Sequence, residues 1–325
     1  MPINATDIST ILFLAPPRVH LLDLGGPAHI FYEAVEYGAP FTSHFITLGP
    51  SNLSSSSGLQ FAALEAYADF ELAAHDLIFI PGLAADLLLD PDFLTSLQPF
   101  SVWLRRQQAN GAWICSVCTG AFLLAEAGLL DQRECTTHWK FAERFQQRYP
   151  QALFQKNRLF VDAGTVFSSA GVASGIDLAL YLVEKKMGSR FASRLAREVV
   201  VYLRRAESDP QLSIFLQYRN HIDDTVHQVQ DLLAQSLSQK PSIETLAEAV
   251  HVSPRTLTRV FKKATHITIG EYTDKLRVER AVKLLGDGHK VVTAAAECGL
   301  SSANQLRSLL RKYRGILPHE VIEMA

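Results

Sequence analysis

The sequence predicts an α/β domain followed by an all-α domain that holds two helix-turn-helix units. Short apolar runs alternate with amphipathic stretches through about the first two hundred residues, and a two-helix motif occurs twice in the last hundred. Charge divides the 325-residue chain in the same way. Residues 1–224 hold 17 Lys and Arg against 23 Asp and Glu, a net of −6, whereas residues 225–325 hold 14 against 10, a net of +4. Such a chain can form two hydrophobic cores, and its basic part is suited to binding phosphates.

The apolar runs of the N-terminal part have the length of strands, and most are bounded by Gly or Pro. The predicted strands are Thr10–Ala15, His44–Leu48, Leu77–Ile80 and Trp113–Val117, with Arg158–Val161 and Thr165–Ser168 as a hairpin or as adjacent strands. The predicted helices are Gly26–Ala34, Phe93–Gln108, Ala121–Ala127, Val172–Lys186 and Phe191–Arg204. Because such alternation produces a mostly parallel sheet covered by helices on both faces, the sequence predicts a flavodoxin-like fold.

The C-terminal part repeats one motif at Ser242–Lys263 and at Val292–Lys312. In each copy an apolar helix is followed by a turn, which ends at Ser253 or Ser301, and by a second helix with one apolar stripe. Serine is a residue type that caps helices, and Ser253 and either Ser301 or Ser302 stand where a cap is needed. This is the layout of a helix-turn-helix, in which the second helix enters the major groove of DNA.

The exposed face of each second helix is basic and rich in hydroxyl and amide groups, which hydrogen-bond to base edges and phosphates. The predicted DNA-contacting residues are Arg255, Thr258, Arg259, Ser302, Asn304 and Arg307. The alternative is a plain helical bundle, because apolar residues at i, i+3 and i+4 mark any amphipathic helix. The repetition, the serine caps and the basic faces favour a sequence-specific DNA-binding protein.

From about Val226 to Glu320 the chain resembles the AraC/XylS family of transcription regulators. The resemblance rests on S-P-R-T-L-T-R-V-F-K, on L-R-V-E-R-A-V-K-L-L at Leu276–Leu285 and on the A-x-E-C-G-L-S-S stretch that ends at Ser302. The resemblance implies a long central helix, near Ile269–Leu285, that joins the two units. It also makes promoter DNA and RNA polymerase expected partners.

The second unit departs from this family at three positions. Leu300 and Leu310 stand where Phe is usual, and Ser308 stands where the family often places a DNA-contacting Arg. We therefore expect the second unit to read fewer bases or to bind DNA more weakly than the first.

A strand-to-helix elbow is predicted at Ser116–Ala121, where the apolar strand ends and an Ala- and Leu-rich helix begins at once. Such an elbow presents its central side chain, here Cys118, at the carboxyl edge of the sheet, where open α/β sheets bind ligands. Backbone N–H groups and the positive end of the helix can stabilise an anion there or lower the pKa of a thiol.

Nearly all of residues 10–205 resemble the PfpI/ThiJ family, relatives of the class I glutamine amidotransferases. The matching segments are D-L-G-G-P at Asp23–Pro27, I-P-G at Ile80–Gly82, V-C-T-G-A at Val117–Ala121, T-T-H-W at Thr136–Trp139 and S-S-A-G-V-A-S-G-I-D at Ser168–Asp177. Within that family, the GlxA-type regulators carry an AraC-type tail. The resemblance implies a ligand pocket lined by Asp23, Gly82, Cys118, Thr119 and His138.

The chemistry of Cys118 depends on its neighbours, because a cysteine nucleophile needs a base or a stabilised thiolate, and oxyanion donors. Proteolytic and deglycase-like relatives have His directly after the Cys, where this chain has Thr119, and some relatives have Glu where it has Asp23. The Asp-Cys-Thr set also occurs in isonitrile hydratase relatives, so hydrolase- or hydratase-like chemistry at Cys118 is an alternative. The preferred interpretation is a non-catalytic pocket with Cys118 at its floor.

Cys115-x-x-Cys118 followed by Cys135-x-x-His138 has the spacing of a zinc site. An apolar core helix intervenes, however, and Cys115 should point away from the edge that Cys118 faces, so we expect neither a metal nor a redox pair there. No cofactor is expected. Four unpaired cysteines, the lack of a secretory signal in Met1–Thr10 and the lack of a continuously apolar stretch of roughly eighteen residues favour a cytoplasmic protein without a membrane partner.

These features divide the chain into a sensor and dimerisation domain (residues 1–208), a linker (209–224) and a DNA-binding domain (225–325). The expected function is that of a homodimeric transcription regulator, an activator, that responds to a small metabolite. The resemblance implies effectors such as amino acids or quaternary amines. A constitutive regulator, whose N-terminal domain only dimerises, is a further alternative.

Overall fold

A seven-stranded sheet forms the centre of the N-terminal unit in the computed structural model, which describes residues 9–201, 214–219, 221–239 and 241–323. In chain order the strands are β1 (Ser9–Ala15), β2 (Phe41–Thr47), β3 (Leu53–Ser54), β4 (Gln60–Phe61), β5 (Glu65–Ala66), β6 (Leu77–Ile80), β7 (Trp113–Val117), β8 (Glu134–Cys135), β9 (Leu153–Phe154), β10 (Phe160–Ala163) and β11 (Val166–Ser169). The large sheet has the order β10-β11-β7-β6-β1-β2-β5, and only the β10–β11 hairpin is antiparallel. Strands β3 and β4 pair with each other, as do β8 and β9.

Helices cover both faces of this sheet. They are α1 (Leu21–Glu36), α2 (Pro91–Ser96), α3 (Gln98–Ala109), α4 (Gly120–Glu126), α5 (Ala142–Arg148), α6 (Ala173–Met187) and α7 (Ser189–Glu198). Because successive side chains of a strand alternate between faces, Ile11 and Phe13 of β1 pack in the core with α1, α6 and α7, whereas Leu12 and Leu14 pack in the core with α3, α4 and α5. The predicted fold class, a mostly parallel sheet between two helical layers, is confirmed.

Two of the predicted strands, Leu77–Ile80 and Trp113–Val117, have the predicted bounds, because every residue of each is buried between the helical layers. The predicted helix Phe93–Gln108 is wrong as a single element. It is divided at Leu97 into α2 and α3, because Pro99, near the start of α3, lacks the N–H that a continuous helix requires. The predicted helix Phe191–Arg204 corresponds to α7, which ends at Glu198; its last three residues lie outside the described residues.

The described residues of the C-terminal unit form helices joined by turns and short loops. Its helices are α8 (Ile214–Tyr218), α9 (Asp224–Gln235), α10 (Ile243–Ala249), α11 (Pro254–Thr265), α12 (Ile269–Gly286), α13 (Val291–Glu297), α14 (Ala303–Arg314) and α15 (Pro318–Glu323). The predicted central helix is α12, and its N-terminus is closed by a capping box between Thr268 and Glu271. No helix in the described part of the chain is both long enough and apolar enough to cross a membrane.

Helix α12 contributes to two separate cores. Tyr272 and Leu276 pack with α9, α10 and α11, whereas Ala281 and Leu285 pack with α13 and α14. Each helix-turn-helix unit therefore has its own core, and both cores share one central helix.

The segment predicted as a linker, residues 209–224, is partly helical. Its first five residues lie outside the described residues, but α8 packs on the C-terminal core, where the backbone N–H of Ile214 donates to Glu279 (3.0 Å) and the Tyr218 ring lies edge-on to Tyr272 (5.9 Å between centroids). The two compact units of the chain are accordingly Met1–Gln211 and Leu212–Ala325. The short helix α8 was not predicted, because the segment is polar and the helix is stabilised by tertiary contacts rather than by its own sequence pattern.

Candidate nucleic-acid interface and ligand pocket

The first helix-turn-helix unit consists of α10, a turn and α11. Ser242 caps α10 by accepting a hydrogen bond from the backbone N–H of Thr245 (3.1 Å), and Ser253 caps α11 by accepting one from Thr256 (3.1 Å). Pro254 is the first residue of α11, a position at which its missing N–H would have no partner within the helix. The start of the first recognition helix is therefore fixed by its own local sequence.

The second unit consists of α13, a turn and α14, and its turn is one residue longer than the first. Ala247 and Ala295 of the first helices are 48 positions apart, whereas Leu257 and Leu306 of the recognition helices are 49 apart and both fully buried. Ser302 is the additional residue, so each recognition-helix position of the first unit matches the residue 49 positions later in the second.

The longer turn decides which serine caps α14. The hydroxyl oxygen of Ser302 accepts a hydrogen bond from the backbone N–H of Gln305 (3.3 Å), whereas the N–H and the hydroxyl of Ser301 both donate to Oε1 of Gln305 (2.9 Å each). Ser302 is thus the cap, and Gln305 reaches back over the turn as in a capping box.

The five other predicted DNA-contacting side chains are exposed: Arg255, Thr258, Arg259, Asn304 and Arg307. The hydroxyl of Thr258 donates to the carbonyl oxygen of Pro254 (2.9 Å), which leaves its methyl group for contact with a base. In the second unit, Nη1 of Arg307 donates to Oδ1 of Asn304 (2.7 Å), so the two side chains predicted to read bases are joined to each other.

Arg277 of α12 was not predicted as a functional residue. Its Nε donates to the carbonyl oxygen of Cys298 at the end of α13 (3.1 Å), and its Nη1 lies 3.4 Å from Asp274. A guanidinium there is favourable because the C-terminal end of a helix is partially negative. Arg277 also lines a groove of about 530 Å³ beside α14, together with Asp274, Gly299, Leu300, Ser302, Asn304, Gln305, Ser308 and Leu309. No local pattern distinguishes this arginine, because its role depends on tertiary contacts.

The candidate ligand pocket in the N-terminal unit lies at the elbow between β7 and α4. Cys118 has a φ of +59°, a conformation that is uncommon for a residue with a side chain, and its N–H donates to the carbonyl oxygen of Ser169 (3.0 Å). The hydroxyl of Thr137 donates to the carbonyl oxygen of Cys118 (2.8 Å). The N–H group of Cys118 is therefore already occupied, which removes one of the anion-binding donors that the sequence suggested.

Asp23 is the charged residue of this pocket, and only 1% of it is exposed. Its Oδ1 accepts a short hydrogen bond from the backbone N–H of Val172 (2.6 Å), in a loop where Val172 has a φ of +53°. Its Oδ2 lies 3.3 Å from Nδ1 of His20 but has no hydrogen-bond partner. His20, which precedes α1, was missed by sequence reasoning; its only sequence signal is its position three residues before Asp23.

Gly82 and Thr119 complete the floor of the pocket. A Cβ atom at Gly82 would lie 2.5 Å from Oδ2 of Asp23, 2.9 Å from Oγ1 of Thr119 and 3.0 Å from Cβ of Cys118, so only glycine fits there. The hydroxyl of Thr119 exchanges hydrogen bonds with the backbone of Leu83 (3.1 and 3.2 Å). The structure thus brings Asp23, Gly82, Cys118 and Thr119 together.

Burial controls the ionisation of this pocket. It raises the pKa of the Cys118 thiol well above its usual value, and the negative charge of Asp23 raises it further. Burial lowers the pKa of His138, and the Asp23 carboxylate opposes this effect. Nδ1 of His138 accepts a hydrogen bond from the N–H of Lys140 (3.3 Å), and its ring is 5.5 Å from that of the exposed Trp139.

The other N-terminal cysteines do not join this pocket. Cys115 and Cys135 are fully buried, and they lie in the cores on opposite faces of the sheet. Among the residues that the structure describes, one group of three has metal-ligating atoms close together, and it is His20, Asp23 and Cys118 rather than the Cys-x-x-Cys pair.

Two different family models match this chain, one in its N-terminal part and one in its C-terminal part. Residues 9–185 match the model of the DJ-1/PfpI family, and residues 246–324 match that of a helix-turn-helix domain. The chain is 28% identical over 279 residues to the HTH-type transcriptional regulator GbdR of Pseudomonas aeruginosa, which covers 85% of this chain and 73% of that protein. It is 32% identical over 178 residues to an isonitrile hydratase of Pseudomonas putida, which covers 54% of this chain and 71% of that enzyme.

Among solved structures, a transcriptional regulator protein from Vibrio parahaemolyticus superposes with a TM-score of 0.53 at 21% identity, covering 59% of this chain and all of that one. At this identity the likeness shows the fold alone. The family match at residues 9–185 spans more than half of the sequence. The chain therefore belongs to the DJ-1/PfpI family, and it joins that domain to an AraC-type helix-turn-helix domain.

Proposed function

We propose that this protein is a transcription regulator that binds promoter DNA through α11 and α14 and a small nitrogenous effector at Asp23 and Cys118. The DNA-binding function rests on one observation. Two serine-capped recognition helices, each with exposed polar and basic side chains, pack on the shared helix α12. The relative named as an HTH-type transcriptional regulator supports it.

The proposed effector carries a positive charge. Oδ2 of Asp23 is buried and has no hydrogen-bond partner, and a carboxylate in such a position attracts a cation more strongly than it would in water. An amino acid or a quaternary amine supplies that cation. Trp139, which is 53% exposed next to His138, offers an aromatic face to the same kind of group.

A thermal-shift assay on the full-length protein, kept in a metal chelator, tests the effector class. Choline is compared with 3,3-dimethylbutan-1-ol, its uncharged carbon analogue, and amino acids are screened beside them. A ligand at a hundred times its Kd should stabilise the protein by about 2.7 kcal/mol. Asp23→Asn should abolish the response to the cation, whereas Asp69→Asn, at an exposed position, should not. Equal responses in both variants would contradict the assignment of the pocket.

We further propose that the protein acts as a cytoplasmic homodimer that activates transcription, with RNA polymerase as its partner at the promoter. A dimer holds two DNA-binding units at one site, so their affinities reinforce each other. Analytical ultracentrifugation of the full-length protein at micromolar concentration should show a dimer. A monomer under conditions of specific DNA binding would contradict this arrangement, and an effector-independent affinity for DNA would support a constitutive regulator.

The second candidate function is hydration of an isonitrile at Cys118. It is favoured by the strained elbow, by the adjacent Asp23 and by the relative named as an isonitrile hydratase. Against it stands the raised pKa of the Cys118 thiol, because a thiolate is the reactive form of a nucleophilic cysteine.

An alkyl isonitrile incubated with the protein distinguishes the two functions. Under the regulatory proposal, wild type and Cys118→Ser form the N-substituted formamide at the same background rate. Formation by the wild type that Cys118→Ser abolishes would establish the enzyme instead.

A further inference from the structure

Three metal-ligating atoms from two distant parts of the sequence meet at the elbow. A ring nitrogen of His20, a carboxylate oxygen of Asp23 and Sγ of Cys118 all lie within 4.8 Å of one another, and Nδ1 of His20 is 3.3 Å from Oδ2 of Asp23. Zinc–nitrogen and zinc–oxygen bonds of about 2.0–2.2 Å and zinc–sulfur bonds of about 2.3 Å place neighbouring donors of a tetrahedral site roughly 3.3–3.8 Å apart. The His20 side chain is 37% exposed, so it is not fixed by burial on all sides.

Oδ2 of Asp23 is buried and accepts no hydrogen bond, although Nδ1 of His20 lies 3.3 Å from it, and this lack of a hydrogen bond is a further indication of a cation. A buried carboxylate oxygen without a partner is unfavourable, because it has lost its hydration without compensation. The other oxygen of this carboxylate is held by the N–H of Val172, which fixes the direction of Oδ2. Ligating carboxylates in metal sites are commonly oriented by such a hydrogen bond from outside the ligand set.

We propose that His20, Asp23 and Cys118 bind a divalent transition-metal ion, with Zn²⁺ as the expected occupant. The nitrogen, oxygen and sulfur donors suit Zn²⁺, whereas Mg²⁺ and Ca²⁺ prefer oxygen alone. On binding, the ion forms bonds to neutral His20, to the Asp23 carboxylate and to the Cys118 thiolate, and the thiol proton leaves to solvent. Three protein ligands leave the fourth position to water or another small donor. The metal ion and the proposed cationic effector would both use Oδ2 of Asp23, so they would compete for it. The inference goes beyond the proposed sensing function, and the two are tested separately because metal binding is measured without an effector.

Titration of the chelator-stripped, reduced full-length protein with Co²⁺ tests the site. Wild type should take up one Co²⁺ with a thiolate-to-cobalt charge-transfer band and the intense visible bands of tetrahedral Co²⁺, and Zn²⁺ should displace it. Cys118→Ser should lose the charge-transfer band. His20→Gln and Asp23→Asn should each weaken binding by about tenfold or more.

His29→Gln is the matched control, because His29 also lies beside a carboxylate of α1, Glu33 (3.6 Å), but without a cysteine. It should bind Co²⁺ as the wild type does. If wild type gives no charge-transfer band, if the band persists in Cys118→Ser, or if His20→Gln binds normally, the metal site is refuted. His20→Gln decides the question even if Asp23→Asn fails to fold, because His20 is half-exposed. A protein that responds to an effector in chelator but binds no Co²⁺ would refute this inference alone.

Discussion

The two helix-turn-helix units have the same architecture but differ in the chemistry of their turns and recognition faces. The turn residue that adopts the left-handed conformation is His251 in the first unit (φ +55°) and Gly299 in the second (φ +71°). On the recognition helices, Arg259 of the first unit corresponds to Ser308 of the second. The first unit thus tolerates a strained residue in an exposed turn and has two arginines among its predicted DNA-contacting residues, whereas the second has a tightly packed turn and one such arginine. Two copies of one helix-turn-helix scaffold can therefore keep the same geometry while they differ in how tightly their turns pack and in which side chains they present to DNA.

The largest expected effect is on the turn of the second unit. A Cβ atom at Gly299 would overlap the carbonyl oxygen of Leu237 and lie 3.1 Å from Cα of Ser238, in addition to the left-handed strain. We expect Gly299→Ala to destabilise the C-terminal unit by roughly 2–5 kcal/mol. His251→Gly, at the matching position, should be neutral or stabilising by up to about 1 kcal/mol, because it relieves the strain of an exposed residue.

Urea unfolding measures the difference in stability between the Gly299→Ala and His251→Gly proteins. The positions of the tryptophans allow the unfolding of the two compact units to be followed separately. All three (Trp103, Trp113 and Trp139) lie in the N-terminal unit, so their fluorescence follows that unit, while far-UV circular dichroism follows both. Gly299→Ala should shift a transition seen by circular dichroism and leave the fluorescence transition in place. Equal stability of the Gly299→Ala and His251→Gly proteins would show that the two turns are equivalent after all.

The second largest effect should be on base reading. Arginine donates two hydrogen bonds to guanine, so Arg259→Ala should weaken binding to a selected operator by about 1–3 kcal/mol and relax the preference at one base pair. Ser308→Ala, at the matching position, should change the affinity by no more than about 0.5 kcal/mol. Gel-shift titrations against the operator and its single-base variants, at one salt concentration, give both numbers. Similar losses for the two variants would remove the proposed asymmetry.

A smaller effect is expected for the hydrogen-bonded pair Asn304 and Arg307 of the second helix-turn-helix unit. Because Asn304 accepts a hydrogen bond from Arg307, the effects of Asn304→Ala and Arg307→Ala on DNA affinity should be non-additive by roughly 0.5–1.5 kcal/mol. The matching pair, Arg255 and Thr258, is the control. The Thr258 hydroxyl donates to Pro254, so we expect nearly additive effects there. A double-mutant cycle by fluorescence anisotropy measures both couplings, and a larger coupling in the first unit would contradict this interpretation.

The smallest effect should come from the N-terminal pocket. Cys118→Ser keeps the size and most of the hydrogen bonding of the thiol, so it should keep the fold, the DNA affinity within about 0.5 kcal/mol and most of the effector response. If it does, the difference between the two helix-turn-helix units does not depend on the N-terminal pocket. Complete loss of the effector response in a normally folded Cys118→Ser protein would instead support covalent chemistry at this residue.

Sequence patterns predicted the parts of the fold that burial dictates and missed the parts that tertiary contacts dictate. Strands β6 and β7 were predicted residue for residue, because complete burial leaves uninterrupted apolar runs. Helix α1 begins five residues earlier than predicted. Gly25, Gly26 and Pro27 reduce its helix propensity, but the burial of Leu24 and Phe31 outweighs that cost.

The candidate site shows the same limit. Asp23, Gly82, Cys118, Thr119 and His138 were predicted as one pocket through their family resemblance, and the structure brings the first four together. The roles of His20 and Arg277 could not be predicted, because each follows from a contact that exists only after folding.

Helix α12 imposes a constraint on the operator as well as on the protein. Its 18 residues extend for about 27 Å, and one half belongs to each core. Inserting a single residue between Leu276 and Val278 would rotate one core by about 100° against the other, so this helix cannot change its length without separating the units from their shared support. The fixed length of α12 therefore also fixes the spacing, along the DNA, of the two sequence elements that the two recognition helices read. About 5 added base pairs would move one element to the opposite side of the duplex, where a rigid central helix cannot follow it.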